Sequence, residues 1–398
     1  MSLALTLTAR RYEAANRQAL GWMLARPPAG PFLDTKVNPL TGADYGPGDG
    51  QRGGAWVYGW IQGRGLEALV TFARDPAESD PALSARLLDR ARPLYAALDG
   101  LVARDGHGAF LYRDGHPLRP VAGEIYTYSD AFFAKGLVAA AALFAPQDVP
   151  RQLDYLMRVI AAVEDNRFQM DESTAIGPQA LAAQPDDFGP RMILLGAAGM
   201  LHRLGLGAHA GFADRFIDAI LTRYDDPATG LLWTVPGEDR RNPGHSIEFV
   251  GFALDHLRHL PPDPDLAARL AALLSRTLDL SLIGPGIPLF IQGDGIPASG
   301  YFPWWSLPEA IRACALAQET GADLLAHWQA AERLFFGNFW QNRHGYAYQT
   351  LNAEGPVDYV PATPDLDPGY HTALSLHAAA RAARRLAGQT QRKPHGLG

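Results

Sequence analysis

Two histidines open apolar segments in the same way: one stands in Asn242-Pro-Gly-His-Ser-Ile-Glu-Phe, the other in Asp367-Pro-Gly-Tyr-His-Thr. Pro-Gly reads as a turn leading into a helix, and the i, i+3 spacing of His245 and Glu248 puts both on one helix face, where a carboxylate can orient an imidazole. A structural alternative exists for the same residues. Ser246 or Asn242 would cap the helix, and Glu248 would only favour its dipole. The repeat of this opening at His371 weighs against that alternative. Imidazole, with an ordinary pKa of about 6.5, both takes and gives a proton at neutral pH, so two imidazoles facing one pocket suggest proton transfer from two sides.

Other side chains fall in step with these. Arg64, in Trp60-Ile-Gln-Gly-Arg-Gly, stands between two glycines that would let a ligand approach, and its guanidinium could hold a sugar oxygen or an enolate oxygen; an ion pair with Glu67 is the structural alternative. Tyr128 and Ser129, Arg191 after Gly189-Pro190, and Glu309 recur at nearly the same interval. Trp304 and Trp305 offer a flat apolar wall for a sugar ring, or are core residues. For a metal there is no His-x-x-x-His or His-Glu-x-x-His helix, and His202, His256 and His259 read as solvated helix-end residues, so no metal is expected. Neither a phosphate-binding glycine loop nor Gly-x-Ser-x-Gly is present.

These residues need elements to carry them. Periodicity near 3.6 predicts twelve helices at roughly 9–26, 60–74, 81–103, 129–144, 149–165, 189–204, 208–223, 245–260, 264–279, 307–319, 322–337 and 370–387. Short connections alternate with long ones. Short links pair neighbouring helices, so the long loops and the starts of the even-numbered helices gather at one end, where the candidate residues lie. Three of the long loops hold a strand-and-turn stretch, at Gly108–His116, Gly230–Gly237 and Gly345–Gly355. The fold class expected is all-α: an (α/α)6 barrel, six helical hairpins in a closed ring, with short β-hairpins in the long loops. Residues 1–388 read as one catalytic domain and 389–398 as a flexible C-terminal tail.

Composition narrows the function classes. The 398 residues carry 35 Lys+Arg against 42 Asp+Glu, a net charge of −7, with no basic run, so no nucleic acid partner is expected. The start of the chain does not read as a secretory signal. The strongest apolar run, Gly136 to Ala145, is half of the ~20 residues a membrane span needs, so no membrane association is expected. A single cysteine, Cys314, rules out an internal disulfide. A cytoplasmic location is the expectation.

With these segments in hand, the chain resembles the N-acylglucosamine 2-epimerase family. The resemblance spans nearly the whole length and is carried by Trp60-Ile-Gln-Gly-Arg-Gly, Tyr128-Ser-Asp-Ala-Phe-Phe-Ala-Lys-Gly-Leu, Pro190-Arg-Met-Ile-Leu-Leu, Pro243-Gly-His-Ser-Ile-Glu, Trp304-Trp-Ser-Leu-Pro-Glu and Gly369-Tyr-His-Thr. It implies an (α/α)6 barrel that epimerises sugars at C2 or interconverts aldoses and ketoses, with no redox cofactor or metal. It implies that His245 and His371 are the acid/base pair, that Glu248 supports His245, and that Arg64 holds the enediolate oxygen. Tyr128, Arg191, Trp304, Trp305 and Glu309 would then bind a small-molecule sugar, and a homodimer is an assembly common in the family. Ser306 and Leu307 stand where the N-acylglucosamine branch typically has Pro-His. An aldose-ketose isomerase, an (α/α)6 glycoside hydrolase using carboxylates such as Asp130, Glu248 and Glu309, and a non-catalytic sugar-binding protein are the competing readings.

Overall fold

Proline at the first turn sets where many of the helices begin, because its missing N–H falls where no intrahelical partner exists and its fixed φ suits the first turn. In the computed structural model, which describes residues 2–75, 80–118, 123–360 and 362–392, the helices in chain order are α1 (Ser2–Ala25), α2 (Gly59–Ala73), α3 (Pro81–Asp105), α4 (Tyr128–Phe144), α5 (Val149–Glu164), α6 (Pro178–Ala183), α7 (Gly189–Arg203), α8 (Phe212–Arg223), α9 (Pro243–Leu257), α10 (Pro264–Ser281), α11 (Ser306–Glu319), α12 (Leu325–Leu334) and α13 (Ser375–Arg392). Asp80, Asn242 and Asp263 cap α3, α9 and α10 by accepting a backbone N–H three residues on.

The chain divides into two compact units that interleave in sequence. One comprises 21–224 and 358–370. In it the short-linked helices pack as expected, α2 on α3, α4 on α5 and α7 on α8, and α4 also packs on α2 and α7. The α2–α4 crossing is very close: a Cβ on Gly63 would lie 2.4 Å from the Phe132 carbonyl carbon, and one on Gly136 would lie 2.6 Å from the Gly63 carbonyl oxygen. Beside these helices a three-stranded antiparallel sheet joins 56–58, 111–113 and 116–117, and 126–127 pairs in parallel with 168–169.

The other unit holds the described parts of 1–20, 225–357 and 371–398. There α9 packs on α10, and α11 packs on α9, α12 and α13. The start of α1 meets α13 through the Arg384–Glu13 ion pair and a Ser2 Oγ bond to the Ala387 carbonyl (3.3 Å), so the chain's two ends supply a sixth pair. Short strands fill the loops at 225–226 with 231–232, 340–341 with 346–347, and 302–303, 350–352 and 355–356.

Two predicted helices are modified at one end by a wider turn. The segment expected at 322–337 finishes in a π turn over Phe335–Phe339, and that expected at 370–387 opens in one over Tyr370–Leu374. The last helix runs to Arg392, into the stretch read as a tail; residues 393–398 lie outside the described residues. The apolar run of Gly136 to Ala145 is core: α4 is buried along most of its length. Among the described residues no helix is long and apolar enough to cross a membrane.

Candidate functional site

In the unit that carries both histidines, the wide turn of Tyr370–Leu374 presents His371 to the first turn of α11. Its Nδ1–H donates to Glu309 Oε1 at 3.0 Å, and Glu248 Oε1 on α9 lies 3.9 Å from the same nitrogen. An ionised carboxylate can only accept, which fixes the proton on Nδ1 and leaves Nε2 as the basic lone pair. Glu309's other oxygen pairs with the Arg312 guanidinium one turn further along α11. Burial opposes charge on Glu309, but Arg312 and His371 outweigh it and hold its pKa below the usual carboxylate range. Arg312 stacks over Phe252 (4.1 Å), and Gly251 leaves it room, since a Cβ there would sit 3.0 Å from its Nε.

His245 enters from the start of α9. Its backbone N–H donates to the capping Asn242 (3.1 Å), so the structural role offered for Asn242 is real. Desolvation, helped by the nearby His371, pulls the His245 pKa down to about 4. It is neutral at pH 7.

Trp305 is the neighbour the two imidazoles share, its ring centroid 5.7 Å from that of His245 and 5.6 Å from that of His371. Trp304 meets His371 edge-on at 6.1 Å and donates its indole N–H to Thr372 (3.2 Å). Both tryptophans are largely buried and pack against the histidines. Gly244 makes the approach possible: a Cβ would fall 2.4 Å from the far edge of the Trp305 ring. Gly244→Ala therefore destabilises by about 1–3 kcal/mol through overpacking, where an unobstructed helical Gly→Ala change stabilises by about 0.5–1 kcal/mol. Chemical denaturation reads the sign.

In the unit of 21–224 and 358–370, Arg64 lies in an aromatic cage: its guanidinium carbon is 4.1 Å from the Phe132 ring centroid, 5.3 Å from Tyr370 and 5.5 Å from Trp60. The two glycines flanking it do not make room for a ligand as expected. A Cβ on Gly63 would strike the backbone of α4, and one on Gly65 would lie 2.2 Å from Leu33, so both serve chain packing. Glu67, the alternative partner of Arg64, pairs with the buried Lys135 (3.3 Å), which also donates to Tyr370 Oη (2.5 Å). Tyr128 packs edge-on against Trp60 (5.4 Å) and Phe168 (5.1 Å), and Gly189 lets its hydroxyl close in. Arg191 is half-buried, and its charge acts on Tyr224, on α7's side of the unit.

The sites divide accordingly. His245, Glu248, Glu309, His371, Trp304 and Trp305 come together in one unit; Arg64 and Tyr128 share Trp60 in the other, where Arg191 acts instead on Tyr224. Sequence reasoning missed Arg312, Lys135, Tyr370 and Glu172, whose partners are mostly brought in by tertiary packing; only the Glu309-x-x-Arg312 spacing was visible locally. His256, expected at a solvated helix end, is buried, because α9 is enclosed almost to its last turn. Ser306 and Leu307 are buried too, Ser306 Oγ donating to the Pro303 carbonyl (3.2 Å). Glu248, Glu309 and His371 offer ligand atoms within 4.8 Å of one another, the geometry of a cation site, but Arg312 already neutralises Glu309.

No protein-family model and no curated protein matches the chain. Solved structures do. A D-mannose isomerase superposes with a TM-score of 0.75 at 13% identity, over 94% of this chain and 97% of that one. The cellobiose 2-epimerase of Bacillus thermoamylovorans B4167 gives 0.71 at 16%, over 94% and 99%. The GH76A α-1,6-mannanase of Salegentibacter sp. HEL1_6 gives 0.52 at 13%, over 96% and 99%. The likeness shows the fold: the chain is mostly helical and shares the (α/α)6 architecture of these enzymes, as the alternation of connection lengths predicts.

Proposed function

We propose that the chain is a sugar isomerase of the N-acylglucosamine 2-epimerase family, a cofactor-independent 2-epimerase that acts on a free hexose, N-acylated or not. The observation that carries the proposal is the pair of imidazoles beside one indole, His371 with its tautomer set by Glu309 and His245 held neutral. After ring opening, one imidazole takes the C2 proton, the electrons move onto the carbonyl oxygen to give an enediolate, and the other imidazole returns a proton to the opposite face of C2. Glu309 and Arg312 orient His371. To Arg64 the proposal gives the enediolate oxygen, on the strength of its fixed charge and its cage. Trp304 and Trp305 give a sugar ring an apolar wall. A cytoplasmic setting belongs to the same proposal.

A glycoside hydrolase needs one carboxyl protonated and a second placed across the bond. Here Glu309 is kept ionised by Arg312, and both Glu309 and Glu248 lie at His371, which favours proton transfer at carbon over hydrolysis. The second reading is an aldose-ketose isomerase, favoured by the D-mannose isomerase likeness. It uses the same bases but returns the proton to C1.

Proton NMR in D2O tests both, with N-acetylglucosamine, N-acetylmannosamine, glucose, mannose, fructose and cellobiose as substrates. New C2-deuterated epimer is expected from one of them; a ketose product would select the isomerase, and no exchange in any would count against the proposal.

The depressed pKa of His245 makes a further expectation. In the direction in which His245 is the base it must be unprotonated, a condition met above about pH 4. On the acid side, kcat/KM for that direction should therefore hold down to about pH 5 and fall only below that. An acid limb centred between pH 6 and 7 would mean that His245 is not the base.

A further inference from the structure

Resting on the sugar-converting reading above, we propose that Glu172 is a positioning residue, which fixes the Trp60 indole and through it the aromatic cage of Arg64. Glu172 lies in the long loop between α5 and α6, 43 residues from its main contact on α4. Its Oε1 accepts the Trp60 indole N–H at 2.6 Å and the Ser129 backbone N–H at 3.0 Å; its Oε2 accepts the Ser129 hydroxyl at 2.6 Å. Ser129 is the second residue of α4, so the carboxylate sits at that helix's start, where the dipole favours a negative group.

The consequence runs through one ring. Trp60 is edge-on to Phe110 and Tyr128 at 5.4 Å each and tilted against Phe132 at 5.9 Å, and Arg64 lies over it at 5.5 Å. An indole packed only by such rings can pivot about χ2; the bond from its N–H to a buried carboxylate stops that pivot. The same carboxylate ties the indole to the turn that carries Tyr128. Glu172 also borders an apolar cavity of about 160 Å³ walled by Phe110, Leu111, Leu118 and Ile176, the surroundings of an acid/base group. Its geometry assigns it the other role: both oxygens are already engaged, and aimed at the indole and at α4.

Substitution separates the two roles. Glu172→Leu removes the bonds to Trp60 and Ser129 and should lower kcat/KM about 100-fold, the cost of a misplaced binding group. Glu172→Gln should recover activity to within about threefold of wild type, because the carboxamide oxygen accepts the two N–H groups and its NH2 meets the Ser129 hydroxyl. If Gln is as damaging as Leu, Glu172 moves protons and the proposal is overturned. In an Arg64→Ala background, Glu172→Leu should cost less than about threefold more, and a full second loss would break the link to Arg64.

A readout free of turnover completes the test. The Trp60 indole N–H resonance, assigned by its disappearance in Trp60→Phe, should exchange slowly with solvent in the wild type and in Glu172→Gln, and fast in Glu172→Leu. Unchanged exchange in the Leu variant overturns the proposal even if no sugar is turned over, so this result stands apart from the fate of the functional reading.

Discussion

His371→Ala and His245→Ala are each expected to abolish interconversion of the C2 epimers, lowering kcat by about 10²–10⁴-fold, without leaving the same residue of activity. In each variant one imidazole remains, able to remove the C2 proton from the epimer whose C–H faces it. Deuterium should therefore still enter that epimer from D2O without any of its partner appearing, and the epimer labelled should switch between the two variants. Loss of exchange from both epimers in one variant, with little effect in the other, would indicate a single base. Wild-type interconversion in either would sink the two-histidine mechanism. The fold should persist in both, because the contacts that hold the histidines run through Asn242, Glu309 and Trp305 and involve no buried charge on His245 at neutral pH.

Glu309→Ala is expected to destabilise the histidine-bearing unit by about 3–5 kcal/mol. Glu309 is 1% and Arg312 7% exposed, and the pair is closed off by Phe252 and Gly251. Removing the carboxylate strands a guanidinium nearly shut off from water and leaves the His371 Nδ1–H with its 3.0 Å acceptor gone. The attraction in such a pair roughly offsets the cost of desolvating it, so the loss comes from the stranded partner more than from the missing bond. It follows that Glu309→Leu combined with Arg312→Met should regain most of the stability while interconversion stays low, since the 3.0 Å acceptor that sets the His371 tautomer is gone. Denaturant titration and epimerisation assays on the same proteins read both effects. A double variant as unstable as the single one would show that the pair itself, rather than the stranded charge, is what matters.

Much of this architecture is written locally. Proline-opened starts and 3.6-residue spacing place α2, α3, α4, α5, α7, α9, α10 and α11 to within a few residues, because each signal sits inside the element it starts. The first turns of α1 were hidden by Ser2–Thr8, where Leu and Thr alternate in the manner of a strand until tertiary packing decides for helix. The short α6 has too few residues to show a period. At the site, His245 and His371 were legible because each follows Pro-Gly and opens an apolar run. Glu172 was not, since its partners lie 43 and 112 residues away and the loop around it carries no pattern. Gly63 and Gly65 mislead in a related way: a glycine made necessary by a helix crossing looks the same in one dimension as one left open for a ligand.

Cys314 lies on α11, the helix that carries Glu309 and Arg312, fully buried and with its thiol pushed well above the usual range by that burial. It is the only cysteine in the chain. A soluble alkylating reagent thus meets no competing thiol and finds this one shut away, so adducts form only when α11 parts from its neighbours. The protein carries a stopwatch beside its two site histidines: at reagent concentrations where labelling outpaces reclosing, each labelled molecule records one excursion of that helix into solvent, and the count per hour measures how often the histidine-bearing unit comes undone.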